Sequence, residues 1–247
     1  MIARTRLAIF TAICLIACAA SAEAQQQKIG APPESQNMKL TGYSDLQARS
    51  AYQPTIHHQG DRYIAYIGHH GGTDDIPAPV NPMTGMAEPN GTSIVDVTDP
   101  AHPKYLKHIP GQEGKYEGGG AQMVRVCDGK GLPKGDPNAV YMLRAVGSLG
   151  HEIWNVADPA NPVLVIKLSA GVKDTHKNFW ECDTGIAYLV SGLPDWRTRR
   201  MTEVYDLGDP AHPQKIRDFG LPGQEPGSTG AVPTELHGPI SLGPEGK

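Results

Sequence analysis

Three copies of one phrase decide the fold: Ser93–Pro103 reads SIVDVTDPAHP, Glu152–Pro162 reads EIWNVADPANP, and Glu203–Pro213 reads EVYDLGDPAHP. In each, an apolar, β-rich run leads into Asp-Pro, and a second Pro follows three residues on. The aspartates Asp99, Asp158 and Asp209 stand 59 and 51 residues apart. A period of that size marks a repeat in which each copy is one supersecondary unit, unable to bury its own apolar face alone.

The unit extends on both sides of the phrase. Upstream lies a Tyr-containing run: RYIAYIG from Arg62, AVYMLRAVG from Ala139, IAYLVSG from Ile186. Before that comes MVRVCDG from Met123 or NFWECDTG from Asn178. Downstream lies PKYLKHIPG from Pro103 or PVLVIKLSAG from Pro162. Each repeat therefore predicts four short strands, rich in β-branched and aromatic residues and separated by Gly, Pro, Asp and Asn. Asp-Pro stops the third strand, because Pro removes a ladder donor and Asp can bond its own backbone two residues on. With no sustained 3.6-residue period outside the amino terminus, the prediction is all-β, with propeller-type blades of four antiparallel strands.

Ser93–Pro100 and its echoes resemble the LVIVD repeat of bacterial secreted proteins, over roughly residues 50–247. The resemblance implies a β-propeller and no fixed chemistry. The second copy departs from it, with Asn155 where the others have Asp96 and Asp206. About three and a half blades are expected. Leu236–Gly246 aligns with Thr175–Gly185 as the start of another unit, placing His237 on His176, and the propeller domain at 51–247 reads as the C-terminally incomplete part of a longer chain.

At the amino terminus, Arg4 and Arg6 precede an apolar stretch and an Ala22-Glu23-Ala24 exit, the pattern of a secretory signal peptide over residues 1–24. Leu15-Ile16-Ala17-Cys18 also fits a lipoprotein anchor at Cys18. The well-formed Ala-x-Ala site followed by glutamines favours simple export to the periplasm or medium. Residues 25–50 read as a flexible lead-in. Loss of Arg4, Arg6 and Glu23 leaves 20 of the 22 basic and 25 of the 26 acidic residues, a net charge near −5. That balance and the sparse aromatics argue against nucleic acid as a partner. The sequence past residue 24 holds no transmembrane segment, and Arg197, Arg199 and Arg200 read as a solvated loop.

Cys127 and Cys182 remain after export. An oxidising compartment suggests a bridge, but both sit at equivalent ends of innermost strands in neighbouring blades. Radial spacing there is expected to exceed the ~7 Å Cα limit for bridging, so two free cysteines are favoured.

The repeat frame also sorts the histidines. His176 and His237 stand at first-strand entrances, His69 and His70 where a second strand ends, and His151 before a third strand, all on one face. His102 and His212 fall on the opposite, Asp-Pro face. Rim histidines held by hydrogen bonds are the plainest reading. The sharper one is a transition-metal site using His176, His237, His69 and His70. The loop after Gly68, with Asp74 and Asp75, and the loop carrying Trp196 and Arg197 open on the same face, where binding residues collect on a rigid frame. Serine-hydrolase, phosphate-loop and dinucleotide signatures are absent. The expected function is an exported ligand- or protein-binding module. The alternative is a metal-dependent oxidoreductase or hydrolase centred on the histidine face.

Overall fold

The computed structural model describes residues 32, 34–73 and 75–239. The expected signal peptide with Cys18, residue Asp74 and residues 240–247 lie outside the described residues. The chain divides into a unit of residues 1–40, in which 32 and 34–40 form no helix or strand, and a unit of residues 41–247. No helix among the described residues is long and apolar enough to cross a membrane.

The second unit is all-β and built from three four-stranded antiparallel blades. Blade one comprises β1 (Tyr52–Gln59), β2 (Arg62–His70), β3 (Gly91–Asp96) and β4 (Lys104–Pro110). A two-residue strand, β5 (Gly120–Ala121), pairs with the end of β2. Blade two comprises β6 (Met123–Asp128), β7 (Val140–Val146), β8 (Gly150–Asn155) and β9 (Val163–Leu168). Blade three comprises β10 (Thr175–Trp180), β11 (Ile186–Ser191), β12 (Met201–Asp206) and β13 (Gln214–Phe219). Every blade follows chain order, so β1, β6 and β10 are the innermost strands.

The repeated phrase does the same work three times. The side chain closing each third strand accepts an N–H two residues on: Asp96 from Thr98 at 2.9 Å, Asn155 from Ala157 at 2.9 Å, Asp206 from Gly208 at 2.8 Å. Only an oxygen is needed, which explains why asparagine serves in the second copy. Asp99, Asp158 and Asp209 then accept from Ala101, Ala160 and Ala211 at 3.0–3.1 Å. Their second oxygens meet His102 (2.8 Å), Asn161 (2.9 Å) and His212 (2.9 Å). These two histidines belong to turns, as their place in the phrase predicts.

Blades pack through apolar faces. Ile64, Tyr66 and Ile94 of blade one meet Val124, Val140 and Met142 of blade two, while Leu143 and Ile153 of blade two meet Leu189 and Ala187 of blade three. Burying each of the Val, Leu, Ile and Met side chains among these contributes about 1.5–3 kcal/mol. One ion pair is sealed into the first junction. Arg144 donates to Glu152 at 2.7 and 2.9 Å and to the carbonyls of Ile109 and Pro110 at 2.9 Å each.

Two expectations are corrected. Cys127 and Cys182 form a disulfide with Cα atoms 5.5 Å apart. The radial-spacing argument fails because β6 and β10 are neighbours where blades converge, and Cys182 lies in the turn just past β10. The lead-in expected to stay flexible to residue 50 also stops short. Leu46–Ala48 forms a 3-10 turn with Leu46 buried against Ala65, Ile67 and Val95. Arg49 beyond it is buried, donating to the carbonyls of Glu88 and Pro79 and to Asn90 Oδ1. Through these three hydrogen bonds from its terminal nitrogens the guanidinium ties the segment Pro79–Asn90 onto the blade.

Candidate functional site

The mouth of the innermost strands is shaped by irregularities in two of them. β1 gains an extra residue between Tyr52 and Thr55, and β10 between Thr175 and Asn178. Bulges re-aim side chains at a strand end, and the second one carries His176 and Lys177. The glycine-rich connection from Gly111 to Gly120 packs against the end of β2, where Gly71 N–H donates to the Tyr116 carbonyl and Tyr116 N–H to the Gly72 carbonyl. Gly120 has φ +76°, and a Cβ there would lie 2.2 Å from the His69 carbonyl oxygen, so only glycine lets β5 close on β2. The 3-10 turn Tyr116–Gly118 in this connection presents Glu117 to the mouth.

Arg200, at the last position before β12, ties the elements together. Its Nη2 donates to Glu117 Oε2 at 2.7 Å and its Nε to Asp174 Oδ2 at 2.9 Å. Arg199 Nε stands 3.3 Å from the same Asp174 oxygen and 3.4 Å from Glu235. The Arg200 hydrogen bond holds the Glu117 carboxyl below its usual pKa. Burial pushes Asp174 up despite its arginines. The basic cluster expected to be a solvated loop is thus only partly so: Arg199 is exposed, Arg200 is buried, and Arg197 donates to the carbonyls of Gly223 and Gly230.

His176 and His237 come together as their alignment predicts, with ring centroids 4.8 Å apart at 42°. His176 is 1% exposed, and neither ring nitrogen has a hydrogen-bond partner among the described residues. Burial, with Arg200 adding to it, pushes its pKa down to about 4, against the opposing pull of Glu117. His237 is exposed and lies above it, on the segment Leu236–Pro239. The Leu236 N–H there donates to the Arg200 carbonyl, and Gly238 abuts Lys177. His70 lies against Tyr52 in a tilted ring pair with centroids 4.4 Å apart, and its buried Nε2 is likewise unpartnered. His176 and His70 are both close enough to Glu117 to add to the lowering of its pKa.

The other expected residues fall elsewhere. His69 is fully buried, with Nδ1 2.5 Å from the Ser50 carbonyl and Nε2 2.7 Å from Ser93 Oγ, so both nitrogens are spent within blade one. It is no part of the mouth. His151 does not precede the third strand but lies inside β8, opposite Ala145 and Leu168. It is fully buried, and desolvation takes its pKa down to about 3. The cause is the short turn Gly147–Leu149, which lets β8 begin at Gly150. Asp75 is exposed on the loop between β2 and β3, and Trp196 is half-buried against Gly220. That loop bounds a cleft of about 360 Å³ lined by Ser50, Gly72, Ile76, Pro79, Pro89 and Lys115. The sequence reading missed Glu117, Arg200, Tyr52 and Lys177 as mouth residues. The connection between β4 and β6, much longer than that between β9 and β10, is the signal that points to Glu117.

No group of three or more His, Cys, Asp or Glu side chains among the described residues is arranged to hold a metal ion. Chemically, the mouth offers imidazoles with unpartnered ring nitrogens beside the Glu117 carboxylate and the Arg200 guanidinium.

No family model and no curated protein matches the chain. Among solved structures, it is similar to the β-fructofuranosidase of Schwanniomyces occidentalis complexed with fructosyl-erythritol, with 13% identity and a TM-score of 0.44. The match covers 74% of this chain and 36% of that one, so the chain spans about a third of that enzyme's length.

Proposed function

We propose that the chain is an exported propeller of the LVIVD-repeat kind that binds a small ligand at the mouth formed by His70, His176, His237, Glu117 and Arg200. The observation that carries this reading is the set of buried, unpartnered polar atoms gathered there: both nitrogens of His176, Nε2 of His70 and Oε1 of Gln122. Each such atom costs about 1–3 kcal/mol unless something satisfies it. A polar ligand with donors and acceptors does so on binding. The adjoining cleft widens the same face. Export is supported by the Ala-x-Ala exit in the sequence and by the Cys127–Cys182 disulfide, which persists in oxidising compartments.

The test is a fragment library titrated into histidine-labelled protein, followed by NMR. Hits are expected to move the His70, His176 and His237 resonances and to leave those of His102 and His212 in place. Fragments that map only to the Asp-Pro face would discard the mouth as the binding site.

A further inference from the structure

Two histidines with unlike surroundings face each other at the mouth. His176 sits in a bulge, sealed from solvent and without partners for either nitrogen, while exposed His237 stands over it with ring centroids 4.8 Å apart. Imidazole bound at a metal–nitrogen distance of ~2.0–2.1 Å puts its ring centroid roughly 3.2 Å from the metal. Two rings 4.8 Å apart on one ion then subtend roughly 100° at it, within the spread of a tetrahedral site. The separation of the two rings therefore matches that of two imidazoles on one cation.

We propose that His176 and His237 form a two-histidine seat for a divalent transition-metal ion of the zinc or copper class, with its remaining coordination positions open to the mouth. The inference rests on the mouth being the binding site and names the first ligand it takes. Imidazole suits these ions. The lack of a third His, Cys, Asp or Glu in range among the described residues means a site that is not closed by protein ligands. Such sites leave positions for water or a further ligand. The local field permits a cation: Lys177, Arg199 and Arg200 are matched by Glu117, Asp174 and Glu235. His69 takes no part, both its nitrogens being engaged. His237 is the accessible ligand, so the ion enters from solvent and is capped from above.

The test is calorimetric titration of zinc sulfate into the purified, tag-free chain after treatment with a chelator, with metal content measured on the dialysed product. One equivalent is expected to bind. His237→Ala, at an exposed position that the fold does not need, should weaken binding by at least ~10-fold. His176→Ala should abolish it, and the double variant His102→Ala/His212→Ala on the opposite face should bind as the parent does. No binding by the parent chain overturns the inference, as does unchanged binding in His237→Ala. If zinc fails while fragments still shift the mouth histidines, the metal inference falls alone. If neither binds, the mouth reading falls with it.

Discussion

Arg200 Nη2 lies 2.7 Å from Glu117 Oε2 although the two residues are 83 positions apart in the chain. With Asp174 on the other side of the guanidinium, this contact fastens the connection between blades one and two to the start of β10 and β12. The mouth has its shape because this arginine is buried and bonded on both sides.

Replacing Arg200 by Met should destabilise the fold by roughly 3 kcal/mol, because Asp174 is left buried with the exposed Arg199 as its remaining cationic partner. The double variant Arg200→Met/Asp174→Leu should lose less than the single one. Denaturant unfolding of the four proteins in the cycle measures this, and additive losses would show that the two residues are not coupled.

His151 sets a pH dependence. Its folded pKa is pushed to about 3, below the unfolded value near 6.5, so protons bind the unfolded chain more readily. Its contribution to stability is therefore complete above pH ~6.5. It is lost as pH falls toward 3, with a slope approaching ~1.4 kcal/mol per pH unit. His69, at about 3, and His108 and His176, each at about 4, are buried in the same way and add further protons over that window. In His151→Leu the slope of unfolding free energy between pH 6 and 4 should drop by about one proton. An unchanged slope would mean that His151 is not held neutral.

Reduction of the Cys127–Cys182 bridge, which closes a loop of 55 residues, should lower stability by about 4 kcal/mol in the chain-entropy account. Urea midpoints of the native protein with and without reductant, and of Cys127→Ser/Cys182→Ser, give the value. Coincident midpoints would remove the bridge from the list of stabilising features.

Asp209→Ala should cost on the order of 1 kcal/mol, through loss of the Ala211 N–H and His212 contacts at the end of blade three. Zinc and fragment binding at the mouth should be unaltered, since this turn lies at the opposite end of the blade. Selective loss of binding without a change in melting would reassign the turn to function.

The Asp-Pro phrases made the blades legible. Each carries its own stop signal in a few local hydrogen bonds, and local chemistry shows in a single sequence. The pairing of His176 with His237 was legible for the same reason, since repeat alignment transfers position. The bridge was not. The distance between Cys127 and Cys182 depends on how close β6 and β10 come at the centre, which no pattern within either strand encodes. His151 was misplaced by a strand boundary that a three-residue turn sets. Glu117 and Arg200 stand in connections without periodicity, and their 2.7 Å contact exists only once three blades have converged.

The disulfide also fixes how blades two and three can move. It joins β6 near its last residue to the turn after β10, at the end of these strands away from His176. Relative displacement of the two sheets is thereby reduced to a rotation pivoted at the bridge, and its amplitude grows along the strands to a maximum at the rim. Six residues at ~3.3 Å each make a lever of roughly 20 Å. A tilt of a few degrees leaves the pinned end unchanged and alters the aperture over His176 by about an ångström.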